Sequence, residues 1–142
     1  MVIEFLAGVT NGFDAFGRLA GVFHSIAVDL AGARRASRER AATLYDQIGA
    51  CVMQVAQDLE NDIQPHGPCQ ELEQYALDLP KVIKKRALKE RVVALSEDLR
   101  RIHAIETLYP ELERVPDRAA AIGQLHGVAG SLRASANLLR AA

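Results

Sequence analysis

The most constraining feature of this chain is a recurrence of apolar residues at alternating spacings of three and four. This spacing gathers apolar side chains along one side of an α-helix, whereas a half-buried strand needs strict alternation, which the sequence lacks. The clearest run lies in the first segment, at Leu6, Val9, Phe13, Phe16, Ala20, Phe23, Ala27 and Leu30. We therefore expect an all-α protein.

Three further long segments repeat the pattern. We expect a second helix from Ser37, a plausible N-cap, to Ile63, and a short helix over 69–79. Pro80 is expected to open the next helix, which runs to about Tyr109, and Pro116 to open the last. Long amphipathic helices with short connections predict an antiparallel four-helix bundle with one additional short helix.

Composition is that of an ordinary globular domain. The 142 residues are 49% hydrophobic and 25% charged, with a net charge of −1, which gives no global attraction to nucleic acid. Two cysteines are too few for a disulfide-framed secreted domain. We expect neither a secretory signal, because no basic segment precedes the first apolar run, nor a membrane-spanning helix, because no stretch of 18 residues is free of charge. We expect one cytoplasmic domain over 1–142, in which an apolar, glycine-containing helix (1–32) precedes the rest of the bundle (35–140).

Catalytic and metal-binding patterns are weak. The sequence has no His-Glu-x-x-His, phosphate-cradling glycine loop or nucleophile elbow, so we expect neither an enzyme nor a cofactor. Cys51, His66 and Cys69 offer at most three zinc ligands, whereas structural zinc sites usually have four, so no metal is expected. The alternative is a turn in which Cys69 packs as a small apolar residue.

The stretch from His126 to Ser131 resembles the phosphorylatable histidine motif of histidine phosphotransfer domains, which are also helical bundles. That family commonly has a lysine where this chain has Ala129, and further helical structure after the histidine helix. The resemblance implies a phosphorelay role for His126. The alternative is a partly exposed histidine on a packing helix.

Two pairs of glycines interrupt the first helix, Gly8/Gly12 and Gly17/Gly21. Glycine costs a helix interior up to ~1 kcal/mol relative to alanine, so their presence needs a reason. Three uses compete: close packing inside the bundle, small-residue packing of helices in lipid, and a weakened helix that can detach. On a helical wheel the glycines border the apolar stripe, which suits a helix with neighbours on both sides.

All four phenylalanines of the chain lie in this same helix. A phenylalanine-rich face with few charges suits either the bundle core or a membrane interface. The candidate membrane or oligomer interface is therefore formed by Phe5, Gly8, Gly12, Phe13, Phe16, Gly17, Gly21 and Phe23.

A basic run, KVIKKRALKER, occupies residues 81–91. Such a run is most often a solvated helix face, but it can also contact anionic lipid head groups or an acidic partner. Nucleic acid is not expected, since no aromatic residues are interleaved. The candidate anionic-surface residues are Lys81, Lys84, Lys85, Arg86, Lys89 and Arg91.

Two segments, Tyr45–Cys51 and Pro65–Pro80 with its PHGxCxEL-x-x-YA turn, carry a family resemblance over roughly residues 35–140. They resemble effector-associated or adaptor domains at the N-terminus of bacterial multidomain proteins. Those proteins join such domains to signalling ATPases, caspase-like proteases or other effectors. The resemblance implies a non-enzymatic module for recruitment or self-association in bacterial immunity or cell death.

The layout is also similar to the HeLo-type and necroptosis-type helical bundles that perturb membranes, because an apolar, glycine-containing helix comes first. We therefore expect a domain that acts by self-association or by binding another protein domain, and that reaches an anionic membrane if its first helix rearranges. A soluble adaptor is the alternative, and a phosphotransfer domain the second alternative.

Overall fold

The computed structural model describes residues 12–102 and 117–142 of the chain, with side chains in 16–100 and 117–142. In these ranges the helices are α1 (Gly12–Leu30), α2 (Arg35–Glu60), α3 (His66–Val82), α4 (Lys89–Ile102) and α5 (Arg118–Ala141), with a 3₁₀ turn at Arg86–Leu88. No strand occurs in the part that is described. The prediction of an all-α fold is confirmed.

The apolar stripes form the core. Every described member of the four stripes is buried, and together they make one continuous hydrophobic cluster. The largest fully buried side chains include Tyr45, Phe16, Phe23 and Leu19, so α1 and α2 supply most of the core's bulk. The period of the sequence therefore identified the buried side of α1, α2, α4 and α5 correctly.

The helices close into a ring in which α5 lies between α1 and α2, and α3 and α4 complete the circuit. The contact between α2 and α5 is the most extensive. These two helices are antiparallel, because Arg118 reaches the end of α2 while Arg38 reaches the end of α5. By contrast, α1 and α5 run in the same direction, since Gly17 lies beside Gln124 and His24 beside Ser135.

Several helix boundaries differ from those expected. Ser37 is not an N-cap, because α2 already begins at Arg35 after a short turn. Pro80 does not open a helix either: it lies inside the last turn of α3, and this helix ends before Ile83, whose backbone is extended. The last helix, α5, begins at Arg118 rather than at Pro116, and Asp117 caps it by accepting a hydrogen bond from the Ala120 amide at 3.0 Å.

The position of Pro80 has a structural explanation. A proline lacks the N–H that would bond the carbonyl four residues earlier, here that of Ala76. The buried hydroxyl of Ser96 on α4 donates to this carbonyl at 2.5 Å. A side chain from the neighbouring helix thus replaces the missing backbone donor, and α3 continues through the proline.

Candidate functional site

The six basic residues of the run 81–91 are all exposed and collect at one corner of the bundle, which we call the basic corner. They do not share one helix. Lys81 lies in the last turn of α3, Lys84 and Lys85 in the connection, Arg86 in the 3₁₀ turn, and Lys89 and Arg91 at the start of α4. The prediction of a continuous helix face through this run is therefore wrong.

Buried apolar residues hold the basic corner in place. Ile83 and Leu88 lie within the run and are 4% and 1% exposed, so each side of the connection is anchored in the core. The intervening cations consequently project outward from a segment with a fixed path. The sequence showed the charges of this run but not that a helix ends within it, because we interpreted Pro80 as the start of a helix.

Two members of the basic corner contact α1. Lys85 Nζ donates to the carbonyl oxygen of Asp29 at 2.9 Å, which caps the C-terminal end of α1. Arg91 donates through Nη1 to Ser25 Oγ at 3.0 Å and through Nη2 to Asp29 Oδ2 at 2.5 Å. A cation at a helix C-terminus interacts favourably with the helix dipole, and the last turn of α1 has no basic residue of its own. Part of the basic corner thus has a structural task.

The other four cations, Lys81, Lys84, Arg86 and Lys89, have no ion-pair partner within the described residues. Their charge is therefore available to an external anion. Like-charged side chains held close together on a fixed segment repel one another, and an anionic surface relieves that repulsion.

The candidate interface on the first helix has a different location. Phe16 and Phe23 are 1% and 2% exposed and belong to the core, so neither can contact a membrane while α1 stays docked. Phe5 and Gly8 lie outside the described residues. Gly12 begins α1, and the side chain of Phe13 also lies outside what the structure describes.

The glycines of α1 are not needed for close packing where their surroundings are described. A Cβ at Gly21 would have no neighbour within 4 Å, and one at Gly17 would meet only the flexible end of Gln124 at 3.2 Å. The close approach occurs instead at Gly49 on α2, where a Cβ would lie 3.4 Å from both the Ala129 carbonyl and Leu132 Cβ of α5. The sequence did not indicate this close approach at Gly49.

Residues that carry the family resemblance make contacts between helices. Tyr45 donates from its hydroxyl to the Phe23 carbonyl at 2.8 Å, and the two rings meet edge to face with centroids 5.0 Å apart. Cys51 Sγ donates to Glu71 Oε2 at 3.1 Å across α2 and α3. Cys69 is buried at the start of α3. These contacts connect α2 to α1 and to α3.

The cysteines do not form a metal centre with His66. Burial, assisted by the hydrogen bond to Glu71, raises the pKa of the Cys51 thiol to about 12, so the thiol is protonated at neutral pH. His66 is exposed at the beginning of α3. Among the described residues no group of three histidine, cysteine or acidic side chains is arranged for a metal ion.

His126 is half-buried between α2 and α5. Its Nε2 pairs with Glu60 Oε1, and its Nδ1 lies 3.0 Å from Met53 Sδ. Both ring nitrogens therefore contact side chains of α2, as a partly exposed histidine on a packing helix does. A phosphorelay role for His126 stays a prediction.

No family model matches the chain, and neither do the characterised proteins or the solved structures with which it was compared. Of the helices in the described ranges, none has the length and apolarity to cross a membrane.

Proposed function

We propose that this chain is a non-enzymatic signalling or effector domain that docks on anionic membrane through the basic corner and self-associates there. The basic corner supports this proposal, since six exposed cations are collected where α3 ends and α4 begins. The placement in bacterial immunity or cell death rests on the resemblance of the segments Tyr45–Cys51 and Pro65–Pro80 alone. The proposed membrane binding rests instead on the six cations of the basic corner.

The strength of such docking follows from the available charge. Each basic residue near an anionic bilayer contributes about 1 kcal/mol, so the four cations without described partners provide roughly 4 kcal/mol. That is reversible, salt-sensitive binding rather than permanent anchoring. Clustering several copies on the surface multiplies the contact, which is why self-association belongs to the proposal.

Deeper engagement requires α1, and its cost sets the order of events. Phe16, Leu19, Phe23 and Ile26 are each at most 2% exposed. At roughly 1.5–3 kcal/mol for each buried side chain, undocking them costs about 6–12 kcal/mol. Only an apolar phase can replace that burial. Docking through the basic corner therefore comes first, and any insertion of α1 into lipid comes second.

The test is vesicle binding by the full chain and by a variant with Lys84→Ala, Arg86→Ala and Lys89→Ala. The experiment measures sedimentation with phosphatidylcholine vesicles, with and without phosphatidylserine. About 1 kcal/mol per residue corresponds to a roughly fivefold weaker affinity for each cation removed, hence about a hundredfold for three. Leakage of an entrapped dye and the mass of the bound species report insertion and self-association.

A second triple variant, Arg34→Ala, Arg100→Ala and Arg133→Ala, is the matched control. It removes the same charge from exposed positions outside the basic corner, namely before α2, at the end of α4 and on α5. We expect it to bind nearly as the unchanged chain does. Equal loss in both triple variants, or no preference for phosphatidylserine in the unchanged chain, would overturn membrane docking.

A soluble adaptor is the second candidate, and the burial of Phe16 and Phe23 favours it. Side chains already used in the chain's own core need no membrane to cover them. In that case the basic corner contacts an acidic partner protein. Unchanged sedimentation with every vesicle, together with a constant monomer or dimer mass, would support the adaptor over the membrane-docking domain.

A further inference from the structure

The clasp between α1 and the basic corner consists of Ser25, Asp29, Lys85 and Arg91. Its three hydrogen bonds connect the last two turns of α1 to the connection after α3 and to the first turn of α4. The side chains of Arg91 and Asp29 are 42% and 46% exposed, so the pair lies at the solvent boundary. Exposed pairs of this kind are weak and exchange partners readily.

The donors in the clasp are also those that recognise anionic lipid. A guanidinium offers parallel N–H groups that fit phosphate or carboxylate oxygens, and an ammonium is a general phosphate partner. In this structure Arg91 uses two nitrogens on Ser25 and Asp29, and Lys85 is used on the Asp29 carbonyl. The internal acceptors thus occupy two of the six cations of the basic corner.

We propose that α1 and an anionic phospholipid surface compete for Lys85 and Arg91, so that the clasp restrains both α1 and membrane docking. This inference rests on the proposed function. Lipid that takes the two cations leaves the Asp29 carboxylate and the negative end of the α1 dipole facing an anionic surface. The resulting repulsion loosens the C-terminal end of α1 at the moment of docking.

The competition is reciprocal. If lipid weakens the clasp by a given factor, weakening the clasp by mutation strengthens lipid binding by the same factor. The substitution Asp29→Asn removes the charged acceptor and leaves the core untouched. Since it releases Arg91, we expect about fivefold tighter binding to vesicles that contain phosphatidylserine.

The matched control is Asp46→Asn. Asp46 pairs with Arg140 at 2.7 Å between α2 and α5, and the two side chains are 38% and 41% exposed. This variant removes one negative charge from a pair of similar exposure, away from the basic corner. We expect it to bind vesicles as the unchanged chain does.

Two measurements on the unchanged chain, Asp29→Asn and Asp46→Asn test the proposed competition. The first is binding to phosphatidylcholine vesicles with and without phosphatidylserine, and the second is amide hydrogen exchange of residues 16–30 without vesicles. The inference predicts that only Asp29→Asn binds more tightly and exchanges faster near the end of α1.

The outcomes separate the two proposals. If the unchanged chain prefers phosphatidylserine vesicles but Asp29→Asn behaves as Asp46→Asn does, the clasp proposal is overturned and membrane docking stands. If the unchanged chain does not prefer phosphatidylserine, membrane docking itself fails and the competition fails with it, even where Asp29→Asn binds.

Discussion

The contact between α2 and α5 and the attachment of α1 are built in different ways. The first has a close backbone approach at Gly49 and two reciprocal caps: Arg38 donates to the Leu139 carbonyl, and Arg118 to the Leu59 carbonyl, each at 2.7 Å and partly buried. The second buries large side chains, but its end is capped by the exposed Lys85. The capping hydrogen bonds are partly buried between α2 and α5 and exposed at the end of α1.

This difference separates what holds a helix from what regulates it. Partly buried caps and a close backbone approach limit exchange with external ligands, so we expect α2 and α5 to form the stable frame of the bundle. The attachment of α1 combines an apolar contact, which only another apolar phase can replace, with polar contacts that any anion can reach. The following predictions test whether the two regions behave as differently as their contacts suggest.

The largest effect is expected in the apolar attachment of α1. Phe23→Ala removes a buried ring and its edge contact with Tyr45, so it should lower the free energy of unfolding by about 3–5 kcal/mol, measured by urea denaturation. Val28→Ala, in the same helix but 50% exposed, should change it by about 0.5 kcal/mol or less. Similar losses in both variants would mean that α1 is not docked through this face.

A smaller loss is expected in the frame. Gly49→Val adds a branched side chain where even a Cβ lies 3.4 Å from α5, so it should lower the free energy of unfolding by about 1–3 kcal/mol. Gly127→Val, on α5 in open space, is the control and should be neutral or slightly stabilising. If Gly49→Val is tolerated equally well, the close approach between α2 and α5 is not a constraint.

Gly21→Ala should act in the opposite direction. Because a Cβ has open space there, alanine should gain helix propensity and raise the free energy of unfolding by about 0.5–1 kcal/mol. It should also slow amide exchange in α1 and reduce dye leakage from vesicles. Gly127→Ala, with the same gain in α5, should stabilise the protein without changing leakage; equal changes in leakage would contradict a special role for α1.

A pH-dependent effect concerns the junction of α2 with α3. The folded-state pKa of Cys51, about 12, lies above the ordinary value of 9.0, so folding favours the protonated thiol. That contribution is complete below pH 9.0 and is lost as the pH rises toward 12. Between about pH 8 and about pH 10, Cys51→Ala should therefore lose less stability than the unchanged chain. Parallel losses in thermal melts would contradict the burial of this thiol.

The sequence predicted the buried side of α1, α2, α4 and α5 because core packing follows the helical period, which is a local property. Phe16 and Phe23 show its limit: the same pattern suits a core or a membrane face, and only the neighbouring helices decide between them. The basic corner was visible as charge. Its pairing with Ser25 and Asp29 was not, since those residues lie some sixty positions away and carried no signal beyond a place on the polar side of α1.

Pro80 misled the boundary prediction for a related reason. A proline near a helix start is the commoner arrangement, and the compensating hydroxyl of Ser96 lies in the next helix. The close approach at Gly49 was not predicted, because a single glycine beside a regular apolar stripe gives no distinct signal, whereas the first helix has four glycines. In each case the deciding partner is remote in sequence.

The hydrogen bond from Ser96 to the Ala76 carbonyl also makes the formation of α3 depend on the docking of α4. The final turn of α3 lacks one of its own backbone hydrogen bonds, and the substitute arrives only when α4 has docked. Neither helix is therefore complete alone, and the two should form and open together as one cooperative unit. Since the basic corner is the connection inside that unit, the Ser96 hydroxyl helps Ile83 and Leu88 to keep its shape.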